Sequence, residues 1–454
     1  MRKRLLRKYN VPGPRYTSYP TVPYWDEDKF RADQWESTLI QSYNETNSSE
    51  GISLYIHLPF CESMCTFCGC HKRITKRHEV ELPYINAVLK EWAMYRSLFR
   101  SRPRIKELHL GGGTPTFFTA ENLKKLIGGI FELADAAPGY ELSFEGHPNN
   151  TTREHLQTLY NLGFRRVSFG VQDYDLKVQK AINRIQPLKN VADVTAWARE
   201  IGYTSISHDL VFGLPFQTIE SITDTIEKTK ALQPDRIAFY SYAHIPWVKG
   251  TGQRGFYENN LPKDDEKRLL YEIGKELLMM HGYHEIGMDH FALDTDSMFT
   301  SFENGTLHRN FMGYSASKTK VMVGLGVSAI SDSWYSFAQN EKNLEDYYKR
   351  IENNELPVFK GHVLNDEDLI VRRHILNLMC NFETDWHAAD LYFDELPEVV
   401  ERLEEFQNDG LLILGNKFLM VTAYGKPFIR NICMAFDLRL KRRKPDTQLF
   451  SMTV

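Results

Sequence analysis

Over the first 250 residues, six short runs have strand character: "SLYIHL", "IKELHL", "ELSFEG", "RVSFGVQ", "SISHDLVFG" and "RIAFYSYA". Most are separated by helical patterns such as "PYINAVLKEWAMYRSLF", "AENLKKLIGGIFELA" and "IESITDTIEKTKALQ". The shortest gap, between the third and fourth runs, still holds a helix of about three turns. Repeated strand then helix implies parallel strands joined by right-handed crossovers, in an open sheet or a barrel. A barrel-like layout is favoured by where the chemically marked residues fall. The first run leads into a cysteine cluster, the second into "GGGTPTF", and the third ends at Glu145. The fourth ends at Gln172 and Asp173, the fifth carries Asp209 into "GLP", and the sixth runs into Ala243 and His244. Parallel strands point their C-terminal ends to one face, so all six marks ring one mouth, where barrel enzymes keep their chemistry. Singly, each has a plainer explanation: a tight turn for the glycines, a surface carboxylate for Glu145, a satisfied core histidine for His244.

"CESMCTFCGC", residues 61–70, holds four of the six cysteines. A disulfide cluster and a structural zinc site are the neutral readings. A chain of 454 residues is long enough for a substantial core without covalent staples. Its basic start, "MRKRLLRKYNVPGPRY", lacks the apolar region of a secretory signal, and no apolar stretch approaches the roughly 20 residues that span a bilayer. A soluble cytoplasmic protein with reduced thiols is expected, and there clustered cysteines more often hold metal. The net charge of −4, from 55 basic and 59 acidic residues, argues against a general nucleic-acid binder. The C-x3-C-x2-C-x-C spacing has no second pair nearby and fits the usual zinc spacings poorly. Three thiolates in one tight loop suit three corners of a [4Fe–4S] cluster, leaving the fourth iron open. Cys380 and Cys433, in apolar stretches, read as small buried hydrophobes.

"CESMCTFC" followed by "GGGTPTF" resembles the radical S-adenosylmethionine superfamily. "VPGPRYTSYPT", "CTFCGC", "GVQD", "DLVFGLP", "YAHIP" and "HRNFMGY" narrow the likeness to the oxygen-independent coproporphyrinogen III oxidase family, over nearly the whole chain. The resemblance implies an α/β fold: a partial (β/α)6 TIM-like barrel with an N-terminal arm and a mainly helical C-terminal domain. It implies Cys61, Cys65 and Cys68 as cluster ligands and Cys70 as a further cysteine that does not bind iron, counted with Glu145 as catalytic. Contacts to S-adenosyl-L-methionine fall on Tyr55, Phe67, Gly112, Gly113, Thr114, Glu145, Gln172, Arg184, Asp209 and Ala243, and a second S-adenosyl-L-methionine lies near Ile330. The implied reaction begins with a 5′-deoxyadenosyl radical that takes a hydrogen from a propionate of coproporphyrinogen III. Loss of CO2 and of one electron to an external acceptor then leaves a vinyl group, twice over, giving protoporphyrinogen IX in haem synthesis. An external electron donor is also required. A monomer is expected, with no nucleic acid and no membrane span. Arg15 and Arg309, in the most family-specific stretches, are the expected grips on substrate carboxylates.

Two stretches depart from the family pattern. Where an acid is expected in Glu-x-Asp-Pro, the chain has "EGHP" with Gly146 and His147, and where an acidic "TDLL"-like stretch is expected, it has "SKTKVMV" with Lys318 and Lys320. Residues 1–35 form the arm over the barrel mouth, too irregular for a core element; 36–357 form the barrel with its extension; and 358–454 form a winged-helix-like module. The run "RLKRRK" at 439–444 reads as a solvated face or tail. The rival functions are a haem-binding chaperone, an anaerobic haem-degrading radical enzyme or methyltransferase, and a DNA-binding regulator with a redox cluster.

Overall fold

The computed structural model describes residues 2–25, 30–247, 253, 255–445 and 447–453. Its spine is six parallel strands: β1 (Ile52–Leu58), β2 (Arg104–Gly112), β3 (Asp135–Gly146), β4 (Arg166–Gln172), β5 (Ser205–Phe212) and β6 (Arg236–Ser241). They lie side by side in chain order, each step parallel. The helices Glu81–Leu98, Ala120–Glu132, Arg153–Asn161, Leu188–Ile201 and Ile219–Ala231 occupy the crossovers. Strand alternation sorts the side chains onto two faces. Leu108, Leu110, Leu142, Phe144, Val167 and Phe169 pack under the helices in the largest core. The alternate residues Glu107, His109, Ser143, Glu145, Ser168 and Asp209 face a polar lumen of about 90 Å³. This is why the strands read as alternating rather than as the unbroken apolar runs of a parallel sheet buried on both faces.

The sheet does not close. Past β1 it continues through Met322–Leu325, parallel to β1, and then through the antiparallel strands Ile330–Asp332, Ser336–Asn340 and Val358–Val363. Past β6 it continues through His290–Ala292 and His284–Ile286. The hairpin His308–Asn310 with Gly313–Ser315 brings Met312, Tyr314 and Ser315 to the lumen wall.

A second core gathers the C-terminal helices Asp366–Asn381, Leu396–Asn408 and Ile429–Phe436 with a three-stranded antiparallel sheet. The N-terminal stretch differs from its expected irregularity. It contains a helix, Arg2–Tyr9, and buries Leu5, Tyr9, Tyr16 and Tyr19 in this second core. Prolines interrupt any local period there, and the apolar partners lie some 400 positions away along the chain. In the basic run, Arg439 pairs with Asp368, Lys441 with Glu398, and Arg442 with Glu367 and Glu395.

Candidate active site

The cysteine loop is anchored at both ends. Phe60–Cys61 pairs with Arg73–Ile74 just beyond β1. Across the mouth, Thr66 N and Oγ1 donate to the carbonyls of Ile182 and Ala181, and Asn183 Nδ2 donates to Met64 O at 2.8 Å. Lys72 Nζ donates to the carbonyls of Cys68 and Cys70, both at 3.3 Å, closing the loop on itself. Cys61, Cys65, Cys68 and the exposed Cys70 all line one cavity of about 170 Å³ at the C-terminal ends of the strands. Among the described residues no three His, Cys, Asp or Glu side chains converge as ligands of a single ion. Thiols spread around a cavity suit a cluster, in which each sulfur takes its own iron, better than the tight tetrahedron of zinc. Burial raises the Cys61 thiol to about 11, and iron binding would displace that proton.

The cavity wall also carries other expected residues. Gly112, Gly113, Thr114, Phe67, Glu145, Gln172, Arg184 and Asp209 line the same cavity. A Cβ on Gly113 would fall 2.6 Å from Pro59 O and 3.0 Å from Cys61 Sγ, so the backbone passes the thiol at a distance only glycine allows. Thr114 Oγ1 lies 3.3 Å from Cys61 Sγ. Arg184 donates through Nη2 to Gly170 O at 2.6 Å and through Nη1 to Cys65 Sγ at 3.7 Å, while its buried Nε has no partner. A free nitrogen on a guanidinium beside the Cys65 thiol fits the carboxylate of S-adenosyl-L-methionine. Gln172 ends β4 at φ +69°, a left-handed conformation that marks local strain for a non-glycine residue. Asp209 accepts from Ser168 Oγ at 2.8 Å; burial raises its carboxyl to about 6, with the nearby charge of Glu145 adding to the rise. Glu145 and Asp209 line both this cavity and the lumen, and so mark where the two meet.

Tyr55 and Ala243 sit one step back. Burial lowers His57 to about 4, so its ring is neutral; Nε2 donates to His71 O and Nδ1 accepts from Tyr55 Oη, both at 3.0 Å. Gln253 was not foreseen. Its Nε2 donates to Ala243 O at 2.9 Å and Phe67 O at 3.2 Å, and its Oε1 accepts from Ile245 N at 2.6 Å. His57 had a signal in "YIH", which places it on the Tyr55 face of β1; Gln253 had none. Ile330 is not on this cavity and packs with Trp25, Phe337 and Leu364. Arg15 donates to Ser241 O at 3.1 Å and lies 3.6 Å from Asp289, while Arg309 is buried against the Tyr314 ring and donates to Arg15 O at 3.3 Å.

The "EGHP" departure lies in the cavity wall. His147 Nδ1 accepts from Asn149 N at 3.1 Å, the bond to the residue two ahead by which an aspartate would close such a turn. Burial, with the charge of Arg184, holds this imidazole well below its usual range and hence neutral. A Cβ on Gly146 would fall 3.0 Å from both the Phe169 ring and Thr151 Oγ1.

A radical SAM superfamily profile matches residues 55–229. The oxygen-independent coproporphyrinogen III oxidase of Helicobacter pylori (strain J99) is 37% identical over 440 residues, 96% of each chain. That of Escherichia coli (strain K12) is 37% identical over 455 residues, 99% of this chain and 98% of the relative. The chain belongs to the oxygen-independent coproporphyrinogen III oxidase family. The family likeness extends to three dimensions. The solved structure described as coproporphyrinogen III oxidase (HemN) from Escherichia coli, a radical SAM enzyme, superposes with a TM-score of 0.88 at 35% identity, covering 93% of this chain and 97% of that one. Radical SAM chemistry in this family calls for a [4Fe–4S] cluster and S-adenosyl-L-methionine, and the thiols, the glycine cradle and the free Arg184 Nε fit both groups. Among the described residues no helix is long and apolar enough to cross a membrane.

Proposed function

We propose that the chain converts two propionates of coproporphyrinogen III to vinyl groups, giving protoporphyrinogen IX, by oxidative decarboxylation. The observation that carries this is the cavity of three thiols and Arg184 opening, past Glu145 and Asp209, onto a polar lumen. When bound, the [4Fe–4S] cluster and S-adenosyl-L-methionine supply a 5′-deoxyadenosyl radical that can take hydrogen from a substrate carbon. The remaining work is done by the chain's own residues. Cys61, Cys65 and Cys68 hold the cluster. Arg184 would receive the cofactor carboxylate, and the Gly112–Thr114 backbone would accommodate its methionine portion. Glu145 and Asp209 accept from its hydroxyl or ammonium groups; Asp209, at about 6, is largely ionised at neutral pH and is oriented by Ser168. Gln253 holds Phe67 and Ala243 together, and these two would lie beside the adenine.

On the substrate side, Arg15 meets a propionate at the mouth and Arg309 positions it from behind through the Arg15 carbonyl. Each turnover removes one hydrogen atom, one CO2 and one electron from the substrate, so an external acceptor is needed beside the external donor. The reading extends to a second S-adenosyl-L-methionine near Ile330 and to a cytoplasmic monomer. Its test is anaerobic incubation with coproporphyrinogen III, S-adenosyl-L-methionine and a one-electron reductant. The expected products are protoporphyrinogen IX and 5′-deoxyadenosine. Cleavage of S-adenosyl-L-methionine without any vinyl product would overturn the substrate assignment.

A further inference from the structure

The second departure, "SKTKVMV", does not face the cofactor. Lys318 and Lys320 line a separate cavity of about 450 Å³ between the barrel extension and the C-terminal module. Leu307 and the first residue of the hairpin strand, His308, line it, as do the C-terminal half of the helix Asp366–Asn381 and Leu391. Neither lysine has an ion pair or a side-chain hydrogen bond among the described residues. The third cation, Arg373, is engaged with Asp390 at 2.7 Å. His308 is buried, and burial, with Arg372 and Lys318 nearby, lowers it to about 3, so it is neutral. Its ring has no hydrogen-bond partner among the described residues. Asn381 Oδ1 is likewise buried and unpartnered. Trp334, held at φ +70°, adds an indole to the wall.

Lys318, exposed at the rim, and Lys320, half-buried, are two cations without an ion pair, and they border a space this large together with a buried, neutral imidazole. A buried polar group without a partner is costly, and the wall of this cavity holds two residues that carry one, His308 and Asn381. The volume lies in the range of organic-ligand pockets and far exceeds what a lone inorganic ion fills. Trp334, Leu307, Leu376 and Leu391 offer a flat or apolar body a place to lie. The wall also includes the negative end of the helix Asp366–Asn381, which disfavours the dense charge of a phosphate ester more than that of separated carboxylates.

We propose that this cavity is a second ligand site, distinct from the reacting one, for a flat organic polycarboxylate whose acid groups pair with Lys318 and Lys320 while His308 faces its body. In its carboxylates the class matches the proposed substrate and product, whose methylene-bridged rings are puckered, and in its flatness it matches their oxidised porphyrin forms; to that extent the inference rests on the functional reading. His308 and Arg309 are neighbours in one strand of the hairpin that also carries Tyr314 and Ser315 into the lumen wall, so an occupant would press on the same element from the other side.

The probe is coproporphyrin III, a stable non-reacting member of the class, measured by equilibrium dialysis against the anaerobic holoenzyme. The Lys318→Glu/Lys320→Glu double variant is expected to bind one equivalent fewer than the parent, while Lys318→Arg/Lys320→Arg keeps the parent's stoichiometry. The kcat for coproporphyrinogen III should be unchanged in both. Equal stoichiometry in the glutamate variant and the parent would overturn the site. Joint loss of one equivalent and of turnover, in a variant with parental cluster content, would place the lysines in the reacting site and overturn its separateness. A parent that binds the probe but forms no vinyl product refutes the functional reading and leaves this site standing.

Discussion

Gln253 shows how much one uncharged side chain can do at a radical site. By bonding the carbonyls of Phe67 and Ala243 it ties the cysteine loop to the segment after β6, adding two polar bonds to the apolar contact of Phe67 with the cluster around Tyr242. Gln253→Ala should therefore leave about four irons per chain but raise KM for S-adenosyl-L-methionine roughly tenfold, the loss of one or two net hydrogen bonds. Titration of cofactor cleavage checks this, and an unchanged KM would reduce Gln253 to a loop tie. The thiols give a second expectation. Cys61→Ser, Cys65→Ser or Cys68→Ser should abolish iron retention after anaerobic reconstitution, whereas Cys70→Ser should keep it; equal loss in all four would refute the three-ligand assignment. The cysteine cluster stood out by residue type and spacing, whereas the glycines and Arg184 were given their roles only by the family resemblance; all of them line one cavity. Gln253 was not legible, because glutamine is common in loops and its role comes from two carbonyls that only the fold brings together.

Among the elements, β1 to β6 were legible because each is long enough to show a period of two and each ends in a marked residue. The hairpin His308–Ser315 and the strand Met322–Leu325 were not, since three or four residues carry no readable period. What fixes Met322–Leu325 is instead a buried polar knot on the helix Glu81–Leu98. Glu91 accepts from Gly326 N at 2.8 Å and Tyr347 Oη at 2.7 Å through one oxygen, and from Asn340 Nδ2 at 2.7 Å through the other. Burial raises its carboxyl from 4.5 to about 7, against the pull of those donors. A raised folded pKa means that the folded state binds more protons, so the protonation-linked stability is complete below about pH 4.5 and is lost as pH rises through about 7. The total is on the order of 3 kcal/mol. Urea unfolding from pH 4.5 to 8 should show this fall, and Glu91→Gln should flatten it. A parent and variant with the same pH slope would mean that the three donors keep Glu91 ionised throughout.

At the scale of the molecule, the N-terminal segment is fastened to the C-terminal one. Arg430, on the helix Ile429–Phe436, donates to Pro14 O at 2.9 Å, Met452 O at 2.8 Å, Ser451 O at 3.4 Å and also to Gly13 O. Pro12 bridges Met452, and a few residues on Arg15 reaches Ser241 O at the end of β6. The arm is thus held at two points, one on the C-terminal module and one at the mouth, and the first positions the second. Arg430 is buried, so its removal strands up to three carbonyls, those of Gly13, Pro14 and Met452, while Ser451 O keeps the amide of Gly13. At about 1–3 kcal/mol for each buried group left unsatisfied, Arg430→Ala risks global unfolding. Arg430→Lys is the cleaner probe, since an ammonium can keep some of these bonds but not the planar fork. The lysine variant should keep its cluster and its S-adenosyl-L-methionine cleavage, because those residues rest on the barrel core. It should become cleavable by protease within residues 9–16 and show a KM for coproporphyrinogen III raised roughly tenfold, about 1.4 kcal/mol, as Arg15→Ala should also do directly. The double variant Arg15→Ala/Arg430→Lys then separates cause from coincidence. If the clamp acts only by presenting Arg15, the double variant has the KM of Arg15→Ala alone. If the two effects multiply, Arg430 serves substrate binding by another route, and the arm is more than a carrier for one guanidinium.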